Sequence, residues 1–346
     1  MLIERQEEFD VLRALLIINA IIIHFHERCD LELLAIIPLF IHDQGFRVGN
    51  FFFFTSGYMG YKIYLNRFKE NKKTVIKLFK KGLQIFLLYI GYITFMRLAM
   101  GSWFPVNIYE FLFYHRFFNA VLCTFSVLFL ISPIFIFIYT KSKNIFLVCT
   151  LLLFSVYAVF IYSPIPENIV NSELSGVLLG IGSKSIYYSI VPALITYCLG
   201  FLIASYDKIT ISEEHQSGLL LWIPFLVLTV HSVLVVLSES YRTFVNMKVL
   251  VPLVSSILVF SSLLLIRFLL LNKIIRTTLT KPEFMLIGKK TLIFFVTSNM
   301  ILGFLNLSEQ SPMLNKFVIF SVLLWLTYIV AAWSFYSELY KKANQN

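Results

Sequence analysis

"DVLRALLIINAIIIHFHERCD", residues 10–30, is an apolar run with Arg13 near its start and His24 near its end. Its length suits a membrane-spanning helix, which needs about 20 predominantly apolar residues. A helix turns by about 100° per residue, so the step from Arg13 to His24 ends within roughly 20° of three full turns and rises about 16 Å. The two side chains are therefore predicted to share one face, with a permanent cation at one level and a titratable ring at another.

The rest of the chain is as apolar as this run. Of its 346 residues, 58% are hydrophobic and only 14% are charged, and 36 are phenylalanine. Apolar runs recur throughout, so we predict an all-α polytopic membrane protein in which residues 1–346 form a single membrane domain. About ten transmembrane helices are predicted, at residues 11–27, 47–65, 82–100, 116–140, 144–163, 184–205, 218–238, 247–272, 288–307 and 315–337.

Basic residues set the predicted orientation. Cytoplasmic loops of membrane proteins are enriched in Lys and Arg, and the most basic segment is residues 67–82, "RFKENKKTVIKLFKKG". With that segment inside, both termini are predicted to be cytoplasmic. The segment is interpreted either as a topology signal attracted by anionic lipid or as a binding surface for an anionic cytosolic ligand. The formal net charge of +10 follows from this topology, so no nucleic-acid partner is expected.

Ionisable side chains within a span face the bundle interior or a wet cavity, because exposing them to lipid is costly. Arg13 and His24 are candidates for such a site, and Asp10 lies one turn before Arg13 at a spacing that allows an ion pair. A structural alternative is that Arg13 reaches the cytoplasmic interface and that a neighbour satisfies His24. The four cysteines show no metal-ligand spacing, so no metal site is predicted.

These residues resemble the opening of the acyltransferase-3 family of integral membrane acyltransferases. That family begins with an Asp-x-x-Arg pattern and a histidine eleven residues after the arginine, which Asp10, Arg13 and His24 match. The family usually has Gly after the arginine, whereas this chain has Ala14. Three further segments are similar to family segments: "FRVGNFFFFTSGYMGYKIY" (46–64), "FSVLFLISPIFIF" (125–137) and "IGKKTLIFFVTSNMIL" (287–302).

The resemblance implies a multi-pass enzyme of the bacterial inner membrane. Members of the family transfer acyl groups, commonly acetyl, from a cytosolic acyl-CoA to hydroxyls of cell-surface or periplasmic glycans. Acetyl-CoA is therefore the expected co-substrate. A related branch of the family succinylates glucans, so succinyl-CoA stays open as an alternative donor. The expected partners are a glycan acceptor, acyl-CoA and membrane lipid.

The chain departs from the family at two places. Several members carry Arg-x-x-Arg after the second span, where this chain has Lys77-x-x-Lys80 followed by Lys81. Lysine binds phosphate as a point charge without the bidentate fork of arginine. Members often have a histidine in the ninth span, where this chain has Thr297, Ser298 and Asn299.

The predicted roles follow from the chemistry of acyl transfer. A neutral imidazole is available at physiological pH, so His24 is the predicted general base for the acceptor hydroxyl. Arg13, with Asp10 as its pairing partner, is the second predicted catalytic group. The cations predicted to bind the phosphates of acyl-CoA are Arg13, Lys62, Lys77, Lys80 and Lys81.

The second span supplies the predicted oxyanion or substrate-binding groups, because a tetrahedral intermediate needs hydrogen-bond donors. The candidates are Asn50, Ser56 and Tyr58. An ordinary interhelical hydrogen bond is the alternative for each, and Ser56–Gly57 can instead allow close helix approach.

The main alternative function is a proton-coupled transporter or flippase of a polysaccharide precursor. Intramembrane Arg and His also serve proton-coupled transport. Many transporters have internal repeats and broken helices near the midplane, and neither is evident in the sequence. A non-catalytic scaffold is a third reading, which does not explain the shared face of Arg13 and His24.

Overall fold

The structure, a computed structural model, describes residues 7–29, 49–71, 73–99, 120–163, 166–180, 189–207, 219–304 and 313–343. Over these ranges the chain is helical and contains no strand, which confirms the all-α expectation for the described part. In chain order the helices are α1 (Glu7–Cys29), α2 (49–59), α3 (Asn66–Glu70), α4 (Lys73–Ala99), α5 (Ala120–Lys141), α6 (Lys143–Tyr162), α7 (Glu167–Val170), α8 (Glu173–Leu179), α9 (Ile190–Tyr206), α10 (Leu219–Leu237), α11 (Glu239–Val245), α12 (Val251–Leu269), α13 (Lys273–Leu279), α14 (Pro282–Lys289), α15 (Thr291–Phe304) and α16 (Met313–Ala343).

The chain divides into two compact units. Unit 1 comprises Met1–Val48, Ile211–Leu237 and Phe260–Asn346, and unit 2 comprises Gly49–Thr210 and Ser238–Val259. Each unit has its own packing and is described by itself. The expectation of one domain over residues 1–346 stays a prediction.

Described helices overlap each of the ten predicted spans, but fewer of them meet the requirements for a span. By length and composition four described helices can cross a membrane, or up to six if each of two bent helix pairs is one span. The ten-span count and the orientation stay predictions. The four helices are Lys73–Phe95, Val121–Lys141, Lys143–Tyr162 and Val251–Leu269.

Outward-facing apolar side chains on these helices suit a lipid environment. On α6, Leu151, Leu152 and Val159 are 57%, 58% and 60% exposed. Large contiguous apolar surfaces are rare on soluble monomers, whereas a transmembrane helix presents them to lipid while its backbone bonds stay internal. These surfaces support the prediction of a membrane protein but do not indicate which membrane it occupies.

The helix boundaries differ from the predicted spans at three places. The predicted third span begins at residue 82, yet α4 is already helical from Lys73, because lysine is a good helix former and polarity does not end a helix. The predicted ninth span is broken, with α14 and α15 bent by 81° around Lys290. The predicted seventh span ends at residue 238, whereas α10 ends at Leu237 and a short helix, α11, follows from Glu239.

In unit 2, α2 and α9 cross at very close range through two glycines. A Cβ placed on Gly57 would lie 1.9 Å from the Tyr197 carbonyl oxygen, and one on Gly200 would lie 2.2 Å from the Phe54 carbonyl oxygen. Only glycine allows such backbone contact, as small residues do at helix interfaces in membranes. The alternative reading of Ser56–Gly57 as a close-approach element is thus confirmed for Gly57.

Ring contacts within unit 2 give the relative directions of its helices. Three elements of unit 2 run in the same direction: residues 49–65 (α2 and the turn that follows it), α5 and α9. The residue numbers of the ring pairs increase together on both members of a helix pair, as they do in parallel helices. The ring pairs are Phe53–Phe125 at 4.9 Å, Tyr61–Tyr139 at 5.5 Å, Phe135–Tyr197 at 6.1 Å and Tyr139–Phe201 at 5.1 Å.

The two remaining long helices of unit 2, α4 and α6, run in the opposite direction. Along α4 the contacts move backwards on α5, because Gly82 packs on Leu130 while Tyr89 lies near Cys123. The chain turns at Ser142, whose hydroxyl caps α6 by accepting from the Ile145 N–H at 3.3 Å. Unit 2 is therefore an alternating bundle.

Candidate functional site

Helix α1 carries the three catalytic candidates of the sequence. It is an unbroken α-helix from Glu7 to Cys29, so the backbone has the register that places Arg13 and His24 on one face. Asp10 is 2% exposed, and Arg13 and His24 are half-buried. The ion pair between Asp10 and Arg13 stays a prediction.

Two ion pairs tie the first turn of α1 to other helices of unit 1. Glu8 accepts from the Arg267 Nε at 3.2 Å, with both side chains mostly buried. Glu7 accepts from the Arg276 Nη2 at 3.0 Å in a more exposed position. Acidic residues at a helix N-terminus are also favoured by the helix dipole, so these contacts fix the position of α1 along its axis.

Gly288 brings the ninth-span segment against α1. A Cβ on Gly288 would lie 1.9 Å from the carbonyl oxygen of Asp10, so the two backbones are in direct contact. Gly288 belongs to "IGKKTLIFFVTSNMIL", and Asp10 begins the opening pattern of the chain. The opening pattern of the chain and the predicted ninth-span segment, separated by most of the sequence, therefore pack on each other.

The ring of His24 lies against α15. The His24 and Phe295 ring centroids are 6.4 Å apart and the rings are edge-to-face at 68°, an arrangement that aromatic rings favour. Since Gly288 meets Asp10 and Phe295 meets His24, the contacts of α14 and then α15 advance along α1 in chain order. This contact restricts the orientation of the imidazole.

Two polar residues follow Phe295 on α15, and they differ in how their side chains are satisfied. The Ser298 hydroxyl donates to the Phe295 carbonyl oxygen at 3.0 Å. Asn299 is only 4% exposed, and neither Nδ2 nor Oδ1 of its amide has a hydrogen-bond partner in the described part of the chain. The sequence marked Asn299 only as a departure from the family pattern.

In unit 2, a buried carboxylate joins two of the candidate residues. The Tyr58 hydroxyl donates to the Asp207 carboxylate, and Lys62 Nζ donates to the Asp207 carbonyl oxygen at 2.9 Å. The Lys62 ammonium also lies 5.7 Å from the centroid of the Tyr58 ring. We call Tyr58, Lys62 and Asp207 the Asp207 node.

The Asp207 node gives Tyr58 and Lys62 structural roles. Lys62 lies in the π-helical turn Gly60–Leu65, a rare conformation that often occurs near functional sites. Tyr58 is fully buried with its hydroxyl engaged, so its oxyanion role stays a prediction without support from its contacts. Sequence reasoning missed Asp207; its one signal is a carboxylate directly after the apolar run of α9.

The remaining second-span candidates are placed without a ligand-like contact. Asn50 is buried at 6% exposed, and Ser56 is half-buried beside the close approach of Gly57. Their oxyanion roles stay predictions.

The three α4 lysines lie on exposed positions of a helix, not in a loop. Lys77, Lys80 and Lys81 are all exposed, and Lys81 Nζ lies 4.8 Å over the ring of Phe129. Phe129 is near the middle of α5, about 18 Å from the end of that helix at Lys141, given a rise of 1.5 Å per residue. The lysines thus extend alongside an apolar helix to about half its length.

Comparison with known proteins adds no relative. No protein-family model matches the chain, and no curated protein or solved structure matches it. A functional assignment therefore depends on the residues and their geometry.

Proposed function

We propose that this chain is a membrane O-acyltransferase that moves an acyl group from a cytosolic acyl-CoA to a hydroxyl of a cell-envelope glycan. The observation that supports it best is the packing of α1 on α14 and α15. There Gly288 contacts Asp10, and Phe295 contacts His24. The two segments that resemble the acyltransferase-3 family thus form one structure around the predicted base.

The proposed topology has ten spans with both termini in the cytoplasm of a bacterial inner-membrane protein. Helix directions support it. The contacts of α14 and then α15 advance along α1 in chain order, which fits a ninth span parallel to the first, with the seven predicted spans two to eight between them. The alternating directions in unit 2 fit five successive spans, and the basic residues favour the cytoplasmic side.

His24 is the proposed general base. Its neutral imidazole takes the proton of the acceptor hydroxyl while the oxygen attacks the thioester carbon, so a C–O bond forms as the carbonyl becomes an oxyanion. Collapse of the tetrahedral intermediate breaks the C–S bond and releases the thiolate. The thiolate takes up the proton from the imidazolium, and the products are an O-acyl glycan and CoA.

The α4 lysines are the proposed phosphate-binding groups for acyl-CoA. Lys77, Lys80 and Lys81 are exposed and extend beside the apolar α5, and ionisable groups at such depth usually line a wet cavity or a ligand path. Arg13 of α1 is the proposed cation nearest the chemistry. Lys62 is the weakest candidate, since one of its donors is used by Asp207.

Ester content of envelope glycans tests the proposal in cells. His24→Gln keeps a polar side chain but removes the base, and we expect the acyl ester to disappear at matched protein levels. His26→Gln is the control, because it makes the same substitution at a neighbouring histidine that is not a predicted catalytic residue. The mass of the lost group identifies the donor as acetyl or succinyl, and a His24→Gln strain with normal ester content would contradict the proposal.

A transporter or flippase is the second candidate, and one observation favours it. Within unit 1, α14 and α15 are bent by 81° at a break. Discontinuous helices are typical of transporters, where they form midplane binding sites. Counterflow of a labelled glycan precursor in liposomes, with no acyl transfer from acyl-CoA, would support this candidate over the enzyme.

A further inference from the structure

Asn299 is a buried amide whose side chain has no hydrogen-bond partner among the described residues. It is 4% exposed, and both Nδ2 and Oδ1 lack a hydrogen bond in the described part of the chain. A buried amide normally has its donors and acceptor satisfied, because losing water without replacement is unfavourable. An amide with both ends unpaired is therefore a reason to look for a ligand.

The position of Asn299 on α15 associates it with His24. It lies four residues after Phe295, and residues at that spacing share a helix face. Phe295 packs on the His24 ring, whereas Phe294, on the adjacent face, packs on Tyr328 of α16 at 6.3 Å. Asn299 therefore belongs to the side of α15 that faces α1.

The direction of α15 places Asn299 beyond His24. Gly288 meets Asp10 and Phe295 meets His24, so the contacts advance along α1 in chain order. If α15 continues this advance past Phe295, Asn299 lies beyond His24, away from Arg13. In the proposed topology that direction leads to the outer side, where the glycan acceptor enters. A group bound there would be part of the acceptor and not of acyl-CoA.

We propose that Asn299 binds hydroxyls of the sugar acceptor. Its amide offers N–H donors at one end and an acceptor oxygen at the other. Two neighbouring sugar hydroxyls match this pair, since one accepts from Nδ2 while the other donates to Oδ1. This inference rests on the proposed function and identifies the acceptor class as a polyhydroxylated sugar held by a diol next to His24.

The test is steady-state kinetics of the purified full chain in detergent. The substrates are the acyl-CoA that the wild type uses, acetyl-CoA or succinyl-CoA, and de-O-acylated glycan from the host envelope. For Asn299→Leu we expect the KM for glycan to rise about tenfold or more, as loss of buried hydrogen bonds predicts. The KM for acyl-CoA should stay within about twofold of the wild-type value, because Asn299 is proposed to contact the acceptor and not acyl-CoA.

Thermal unfolding supplies a second readout. Leucine fills a similar volume without unpaired polar atoms, so Asn299→Leu should raise the midpoint of unfolding while it impairs acceptor binding. Ser298→Ala is the control, since the Ser298 hydroxyl already bonds to its own helix, and it should leave the acceptor KM unchanged. Asn299→Ala serves as a second variant if leucine does not fit.

The outcomes separate the two proposals. A wild type that transfers no acyl group overturns the proposed function and this inference with it. A wild type that transfers the group, with both Asn299 variants keeping the wild-type KM for glycan, overturns the role of Asn299 alone. An equal rise in the KM for both substrates also overturns it, because a merely structural residue would have that effect.

Discussion

The Asp207 node in unit 2 and Asn299 of α15 in unit 1 both place polar side chains among apolar helices, but only those of the node have hydrogen-bond partners among the described residues. Tyr58 and Lys62 each donate to Asp207. Asn299 has no partner in the described residues. Buried polar side chains that are hydrogen-bonded stabilise the packing of helices. A buried polar side chain without hydrogen bonds lowers the stability of the fold unless a ligand supplies those bonds. The difference separates a structural element from a candidate binding site.

The largest effect is expected where α1 and α14 touch. Gly288→Ala would place a Cβ 1.9 Å from the Asp10 carbonyl oxygen, so the helices must separate. We expect a loss of about 3 kcal/mol or more in stability, at the upper end of overpacking effects. Thermal unfolding in detergent measures it.

Gly91→Ala is the matched control for Gly288→Ala. No atom of the described residues lies within 4 Å of a Cβ placed on Gly91 of α4, and alanine is favoured over glycine in a helix. It should be neutral or slightly stabilising. Equal unfolding midpoints for the two variants would show that the close approach of α1 and α14 does not exist.

The next prediction concerns the sign of the stability change when leucine replaces Asp207 or Asn299. Asp207→Leu removes the carboxylate that accepts from the buried Tyr58 hydroxyl, so we expect a loss of about 1–3 kcal/mol. The same substitution at Asn299 removes unpaired atoms and should stabilise the fold. Urea or thermal unfolding measures the change in stability of both leucine variants. Changes of the same sign would contradict the distinction between the satisfied Asp207 node and the unsatisfied Asn299 amide.

A smaller effect is expected for Tyr58→Phe, which removes only the hydroxyl of the node. Loss of one buried hydrogen bond should cost about 1 kcal/mol, while acyl transfer per folded molecule should stay within about twofold of the wild-type rate. A decrease in the acyl-transfer rate of about 10²-fold or more, the size associated with an oxyanion donor, would instead support an oxyanion role for Tyr58.

The smallest effects concern the two ion pairs at the start of α1. Glu7→Gln breaks an exposed pair with Arg276, and exposed pairs contribute about 0.2–1 kcal/mol. Glu8→Gln should destabilise the fold more, because Arg267 and Glu8 are only 12% and 17% exposed. Unfolding midpoints at low and high salt measure both, and a larger effect for Glu7→Gln would contradict this order.

Local patterns in the sequence were sufficient for much of this description. The apolar runs located the helices, and the eleven-residue spacing in α1 gave the shared face of Arg13 and His24, because helix periodicity is a local property. The close approach of Gly57 was foreseen as an alternative, since small residues at helix interfaces carry a recognisable pattern.

Contacts between distant segments could not be read in this way. Tyr58 and Asp207 are 149 residues apart, and no local pattern connects them. The break at Lys290, the early start of α4 at Lys73 and the contact of Gly288 with Asp10 depend on tertiary packing. The empty hydrogen-bonding positions of Asn299 depend on what α15 packs against, which the sequence does not specify.

The central claim is that His24 takes the proton in an acyl transfer, and transfer by the purified chain in proteoliposomes tests it most directly. Labelled acyl-CoA and de-O-acylated glycan are supplied to wild type, His24→Gln and His26→Gln, and label in glycan ester is measured. The account predicts wild-type rates for His26→Gln and a loss of about 10²-fold or more for His24→Gln. Equal labelling by His24→Gln and the wild type would contradict it.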